Sequence, residues 1–505
     1  MCGIVAAVGE VDTQLCREML SRIKHRGPDD TGEIHRGRVW LGHQRLSIMD
    51  VDGGAQPMSD PGGTTHLVAN GEIYNHRNIR EDLGHELFET GSDSEAALHA
   101  LIVDGPAGLA RLRGMFTLAF MTDDGQFLVA RDAVGVKPLY WARKPEVTLF
   151  ASELRAFDEA DRPLVESFPP GCCWSPESGL VRFADAVPAV LRPAHRLPSD
   201  TEPGVWGDDL LKSVRETIVA AVENRMMSDV GIGVFLSGGL DSAIVAAVAA
   251  EYALRHRQPL PTFAIGAPGS SDLAAARVVA DHLGTEHHEI VMTAEDAMTA
   301  LPKAVRAIEH FDPSLVRSAV PNLLLAEYAS KRVHAVLTGE GADELFAGYD
   351  YYHQEPFTNP DALQAELVRT VNELHHLNLQ RCDRTTMAFG MEARVPFLDR
   401  DVIGLALSIP PEHKMIGPGR EAKKLLRDAF DGWLPEEILR RGKEQFGDGS
   451  GAKDVLEQAV LAAPEVAEAE GVELRSKEEA AFYAIWRSEL NGIRPGSTLG
   501  LFATT

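Results

Sequence analysis

No stretch of this 505-residue sequence is apolar for long enough to span a bilayer, which needs roughly 18 or more consecutive apolar residues. Basic residues are scarce. There are 49 Lys and Arg against 75 Asp and Glu, for a formal net charge of −26. That balance excludes broad-surface binding to nucleic acid or to an anionic membrane, so any anionic substrate must be met by local cations. Cysteine is also sparse. The five present, Cys2, Cys16, Cys172, Cys173 and Cys382, are odd in number and show no zinc-finger spacing. Free thiols in a reducing cytosol are expected. The opening Met-Cys-Gly-Ile-Val-Ala-Ala-Val has no basic segment of the kind that starts a signal peptide, and no glycine at position 2 for myristoylation. The expectation is a cytoplasmic protein without membrane or nucleic-acid partners. There is no internal repeat, and only 455–470 is mildly biased, toward Ala and Glu.

What is present is ordinary globular composition, 44% hydrophobic, in a chain too long for one core. Residues 3 to about 185 carry short β-type runs between turn signals, among them 4–8, 39–43, 66–70, 116–122, 126–131, 138–142 and 148–152. Helices are expected near 12–23 and 94–103. This half reads as antiparallel sheet layers covered by helices. A stretch with Pro188, Pro193, Pro198 and Pro203 then reads as a linker. Beyond it, strands at 232, 262–266, 288–292 and 333–338 alternate with helices at 208–224, 272–283, 294–310 and 320–331. That alternation predicts a doubly wound parallel α/β sheet, followed from about residue 348 by a mostly helical part. The expected domains are 2–190, a linker at 191–206, and 207–505.

The most informative stretch is Val230-Gly-Ile-Gly-Val-Phe-Leu-Ser-Gly-Gly-Leu-Asp-Ser242. A buried strand feeds a glycine turn that opens an Ala-rich helix, so backbone N–H groups and the positive helix end converge on one spot suited to phosphate. The turn lacks the lysine of a Walker A loop. Gly231 and Gly233 also lack the third glycine of a dinucleotide fingerprint. Ser237-Gly-Gly-Leu-Asp-Ser242 resembles the pyrophosphate loop of the ATP pyrophosphatase family, whose members cut ATP between the α and β phosphates. A plain glycine turn is the bland alternative.

A cysteine exposed by removal of Met1 would bring its own base, since an α-amine titrates near pH 8, close to the thiol. The opening Met-Cys-Gly-Ile resembles that of the class II glutamine amidotransferases. So do His25-Arg-Gly-Pro-Asp29, Arg45-Leu-Ser-Ile-Met49, Asn70-Gly-Glu-Ile-Tyr-Asn75 and Thr90-Gly-Ser-Asp93, in the same order. The resemblance implies an N-terminal nucleophile fold, αββα. In it Cys2 attacks the glutamine amide and Asn70 with Gly71 forms the oxyanion hole. Glutamine is held by Arg45, Leu46, Ser47, Ile48, Met49, Asn70, Gly71, Glu72 and Asp93. Arg45 would meet the α-carboxylate and Asp93 the α-ammonium, as a zwitterion requires. Taken singly, Arg45 and Asp93 could equally form a structural ion pair.

With both halves in one chain, the sequence resembles the glutamine-hydrolysing asparagine synthetases. Phe263-Ala-Ile-Gly266, Thr338-Gly-Glu-Gly-Ala-Asp-Glu-Leu-Phe-Ala-Gly-Tyr349, Gly390 to Asp399 and Lys443-Glu-Gln-Phe446 add to the match. The resemblance implies ATP bound by Leu236, Ser237, Gly238, Gly239, Asp241, Ser242, Ile265, Thr338 and Gly339. It implies Mg2+ on Asp241 and Asp343, Lys443 at the α-phosphate, and Glu340 where ammonia attacks the adenylate. Asp343 and Glu344 could instead be acids at a helix start. The substrates implied are glutamine, aspartate and ATP, and a homodimer is expected by resemblance alone. Other carboxylate ligases and a non-catalytic glutamine sensor are the competing readings. Cys2 speaks against the β-lactam synthetases. The full residue set speaks against a sensor. If both sites act together, the two halves should pack directly on each other around a largely apolar passage from Cys2 to Glu340.

Overall fold

The computed structural model describes residues 2–189, 202–417, 419–442 and 472–500. Two six-stranded antiparallel sheets come first in the chain, followed by a five-stranded parallel sheet. The first sheet runs Val165–Ser167, Tyr140–Arg143, Val147–Ala151, Gly3–Gly9, Val39–Arg45, Asp30–Arg36. The second runs Gly179–Arg182, Cys172–Ser175, Phe127–Arg131, Gly114–Thr122, Thr65–Ile73, Met58–Ser59.

Strand alternation explains the layering. Side chains two apart share a face. Ile4 and Ala6 pack with Leu41, Val68, Ala119 and Phe150 between the sheets. Val5 and Ala7 point the other way, onto Cys16, Met19 and Leu20 of helix Thr13–Arg22. On the far side, Leu67 and Ala69 pack under Ala96, Ala97 and Leu101 of helix Ser94–Asp104. The result is the expected helix–sheet–sheet–helix arrangement.

The parallel sheet has the order Glu286–Val291, Pro261–Gly266, Ile232–Phe235, Ala335–Leu337, Glu392–Arg394. Its edge strand, Glu392–Arg394, lies in the part read from sequence as helical. Three residues are too few to show a period-2 pattern. The helix read at 320–331 begins earlier, at Pro313. Asp312 caps it by accepting from the N–H groups of Ser314 and Leu315, and proline at the first helical position needs no donor partner. Pro321 inside it hides that continuity in the sequence. Of the linker expected at 191–206, all but 202–206 lies outside the described residues.

The halves pack directly. Leu46, Ile48, Met115, Val134 and Val136 of the sheet pair join the same hydrophobic cluster as Val214, Leu236 and Leu398. A cluster of buried charge crosses the junction beside this apolar contact. Arg384, fully buried, pairs with Glu153 at 2.9 Å and with Glu309 at 3.2 Å. Glu309 also accepts from the Leu154 and Arg155 N–H groups, both at 2.9 Å. Arg26 bridges Glu153 at 2.8 Å and Asp383 at 2.9 Å. Burial works against ionisation of Glu153, but His25, Arg384 and Arg155 outweigh it and hold the carboxyl well below the usual range. Every carboxylate in this group has a guanidinium from an approaching segment, which is what lets the charge be buried there.

Arg384→Met should therefore strand Glu153 and Glu309 with less compensation, at a cost of about 3–5 kcal/mol. Thermal denaturation monitored at both halves is the measurement. An unchanged midpoint would show that the cluster is not stabilising.

Candidate active sites

The first site forms where strand Gly3–Gly9 begins. The Cys2 backbone N–H donates to Asn70 Oδ1 at 2.9 Å, and the thiol lies 3.9 Å from the Leu46 carbonyl oxygen. Burial pushes the Cys2 thiol up. Because Asn70 Oδ1 accepts, its Nδ2 is the end left to donate, and that atom is buried without a hydrogen-bond partner. A buried donor beside a nucleophile suits a developing oxyanion. Gly71 has φ +144°, and a Cβ there would lie 1.9 Å from the Met115 carbonyl oxygen, so only glycine fits.

The remaining first-site residues form the surrounding wall. Arg45 donates to the carbonyls of Val51 at 2.9 Å and Asp50 at 2.7 Å. The Ser47 N–H donates to Asp29 at 2.8 Å. Ile48 and Met49 pack against the synthetase half. Asp93 is buried and accepts from the Ile73 N–H at 2.6 Å, and burial raises its carboxyl to about 6. Glu72 is also buried, 3.3 Å from Arg394 of the other half. Its carboxyl is raised well above the usual range by burial, then by Glu392 and Asp93.

Asp50 escaped the sequence reading. Its side chain accepts from the Gly91 N–H at 2.7 Å, and its own N–H donates to Asp229 at 2.7 Å. It thereby ties the Arg45 loop to the Asp93 segment and to the second half. The only signal was a turn-type Asp50-Val-Asp-Gly-Gly54 sequence.

The second site is a cavity of about 740 Å³ at the carboxyl ends of the central parallel strands, where a doubly wound sheet binds ligands. Leu236, Ser237, Gly239, Asp241, Ser242, Ile265, Thr338, Gly339, Glu340 and Asp343 all line it. Gly238 is packed behind, at φ +72°. A Cβ there would come 2.7 Å from the Ala276 nitrogen and 2.8 Å from the Asp272 carbonyl oxygen. The two serines lock the turn: Ser242 Oγ accepts from the Ser237 N–H at 3.1 Å and donates to the Gly239 carbonyl at 3.1 Å. Gly239 caps helix Leu240–His256 without any side-chain bond to its first N–H groups. Lys443 lies outside the described residues.

Asp241 and Asp343 converge on one cation, the Lys423 ammonium, at 2.6 and 2.5 Å. Burial opposes the charge on Lys423, but the two carboxylates outweigh it and raise the ammonium to about 12. Hard oxygen donors converging on one point fit magnesium, which takes one or two carboxylates and leaves positions for phosphate and water. Among the described residues no group of three or more His, Cys, Asp or Glu side chains forms a fuller metal cage. Glu340 pairs with Arg381. Asp343 and Glu344 both lie in the first turn of the short helix Ala342–Phe346, without a side-chain cap bond. Glu344 accepts from Tyr349 Oη at 2.7 Å and Asn378 Nδ2 at 3.1 Å, and burial followed by Asp343 raises it to about 7.

One buried helix, Asn378–Met387, joins the two sites. Its Arg381 holds Glu340. Its Asp383 holds Arg26, whose Nε donates to the Cys2 carbonyl at 3.0 Å. Arg381 and Lys423 were not expected from sequence. Neither lies in a stretch whose spacing marks chemistry.

The asparagine synthase family model matches residues 213–361 and 355–489, and a glutamine amidotransferase domain model matches 1–167. Asparagine synthetase [glutamine-hydrolyzing] 3 of Arabidopsis thaliana is 41% identical over 472 residues, covering 89% of this chain and 79% of that protein. Asparagine synthetase [glutamine-hydrolyzing] of Sandersonia aurantiaca is 38% identical over 479 residues, covering 89% and 87%. A solved glutamine phosphoribosylpyrophosphate amidotransferase from B. subtilis, complexed with ADP and GMP, aligns with TM-score 0.31 at 20% identity over 51% of this chain and 65% of that one.

Gly238→Ala is expected to distort the turn through both its left-handed backbone and its packing, at a cost of about 1–3 kcal/mol. ATP affinity measured by calorimetry should fall about tenfold or more, with glutamine hydrolysis retained. Unchanged affinity would mean that the turn does not cradle phosphate.

Proposed function

The chain belongs to the asparagine synthetase family, and from that premise we propose that it makes asparagine from aspartate, ATP and glutamine. Cys2, freed by removal of Met1, attacks the glutamine side-chain amide, the C–N bond breaks, and ammonia leaves as the thioester forms. Asn70 Nδ2 and the Gly71 N–H take the oxyanion, and water then releases glutamate. Arg45 meets the glutamine α-carboxylate, and Asp93, with the 70–72 segment, meets the α-ammonium.

In the cavity, the aspartate side-chain carboxylate attacks the α-phosphate of ATP and pyrophosphate leaves. The Ser237–Ser242 turn holds the phosphates, Leu236 and Ile265 supply the apolar wall for adenosine, and Lys443 stands at the α-phosphate. Asp241 and Asp343 would hold magnesium, which when bound neutralises phosphate charge. Ammonia then attacks the adenylated carboxylate, AMP leaves, and Glu340 takes the proton released by the nitrogen.

The observation that carries a coupled reaction is helix Asn378–Met387, whose Arg381 holds Glu340 and whose Asp383 reaches Cys2 through Arg26. A shared rigid element supports direct passage of ammonia inside the protein, where it stays unprotonated because charging it there is costly. Among the described residues no helix is long and apolar enough to cross a membrane. The free cysteines and net negative charge accord with a cytoplasmic protein acting on small molecules rather than nucleic acid, and a homodimer is proposed from family resemblance alone.

Cys2→Ala should abolish glutamine-dependent synthesis while leaving synthesis from added ammonium, followed as pyrophosphate and asparagine. Equal loss of both would sink the division of labour. Asp93 gives a pH test. Its carboxyl is raised to about 6, so lowering the pH through 6 protonates it and removes the charge that meets the ammonium. The glutamine KM should rise as pH falls below about 6, and Asp93→Asn should flatten that profile at a uniformly high KM. A wild-type KM independent of pH between 5 and 7 would count against Asp93 in this role.

A further inference from the structure

Lys423 has more invested in its position than a surface lysine has. It is a non-glycine residue in the left-handed region, at φ 58°, a conformation that persists only where surroundings enforce it. It stands at the start of helix Lys424–Ala429, yet its side chain is buried in the cavity, not extended into solvent. Its ammonium lies 2.6 Å from Asp241 and 2.5 Å from Asp343, which come from different strand ends. The path to them is cleared by Gly348. A Cβ at that position would lie 2.0 Å from Asp343 Oδ1, 2.1 Å from Lys423 Cε and 2.8 Å from its Nζ. Backbone strain, burial and a missing side chain thus all serve one contact.

The two acids are the pair read above as holding magnesium, and the inference rests on that reading. We propose that Lys423 is a built-in counter-cation that competes with a divalent ion for Asp241 and Asp343, so that the acids accept the metal only together with nucleoside triphosphate. The physical reason is electrostatic. Two carboxylates converging in a buried cavity repel unless a cation lies between them. The ammonium occupies that place, and a divalent ion arriving alone must displace it from both carboxylates at once. Phosphate oxygens provide a receiving group. With triphosphate in the cavity, Lys423 exchanges carboxylate for phosphate, a natural partner for a compact ammonium, and both acids become available. Lys423 is in this sense a positioning residue that makes metal binding conditional on substrate.

The test is nucleotide-free Mn2+ binding to the full chain, read from the electron paramagnetic resonance signal of the free ion. Lys423→Met should bind Mn2+ about tenfold or more tightly than the wild type, because the acids lose their internal cation. A purely structural lysine would leave that affinity unchanged or lower it, and either result overturns the proposal. If circular dichroism shows that Lys423→Met does not fold, Lys423→Gln decides, since it removes the charge and keeps a polar side chain that leaves Asp343 undisturbed. Tighter nucleotide-free binding there supports the competition, and unchanged binding overturns it. Asp241→Asn, measured with ATP present, separates the two levels of the argument. If it keeps full Mn2+–ATP affinity, the reading of the acids fails and the competition with it. If it loses that affinity while Lys423→Met matches the wild type, the acids stand and the counter-cation alone is refuted.

Discussion

The structure depends on charge buried where its halves meet. Arg384 lies between Glu153 of the antiparallel part and Glu309 of the parallel part, and all three are shielded from water. Such a cluster contributes little net stability over a well-packed apolar one. What it does impose is geometry. Each partner is costly unless the others are in place, so the halves cannot shift or separate without stranding charge. Glu309 shows how tightly this is set. It is held at φ 53° while its carboxylate takes two backbone N–H groups and its carbonyl accepts from Trp486. A hydrophobic seam slides at low cost, whereas an ionic lattice with one solution does not.

Helix Asn378–Met387 turns that constraint into function. Its ten residues are all buried, although its sequence, Asn-Leu-Gln-Arg-Cys-Asp-Arg-Thr-Thr-Met, is polar nearly all round. An α-helix turns 100° per residue, so Arg381 and Asp383 project about 200° apart, onto opposite faces. One therefore faces Glu340 and the other faces Arg26 and Cys2. Arg384, one position further on, joins the ionic lattice. Three neighbouring side chains on one rigid rod thus address the synthetase centre, the cysteine centre and the seam between them. A loop carrying the same residues would not fix their relative directions.

That helix also marks where sequence reading stopped. The strand–turn–helix at Ser237 and the paired layers of the first half were legible, because each is a local pattern of period or turn chemistry. Cys2, Asn70, Asp241 and Asp343 were legible through motifs. A polar helix reads as a solvated one, and nothing local in Arg381 or Asp383 says that its partner lies 41 residues back or 357 residues back. Lys423 sits between Ala422 and Lys424 in what looks like an ordinary charged helix start. Strand Glu392–Arg394 was missed for the same kind of reason: its pairing partner, not its three residues, makes it a strand. What failed to show in sequence is the long-range pairing of charge, and that pairing is what the proposed coupling rests on.

The scarcity of positive charge sharpens the point. With a net charge of −26, the field of the whole protein repels a triphosphate, and attraction falls to cations in the cavity itself. Several of those cations carry protein carboxylates, Arg381 with Glu340, Lys423 with Asp241 and Asp343, Arg441 with Asp272, and Arg317 with Glu478, while Arg427 donates to the carbonyls of Ala422, Leu439 and Arg441. A cavity lined with buried, uncompensated guanidinium and ammonium groups would be destabilised by its own desolvation. Pairing lowers that penalty, and the acids used for it are among those the proposed chemistry needs. On that proposal substrate binding becomes an exchange of partners. Each phosphate oxygen that draws a cation away would leave a carboxylate free to bind metal or accept a proton. Neutrality before binding and reactivity after it follow from one set of ion pairs, which is how an acidic protein can keep a site for anions.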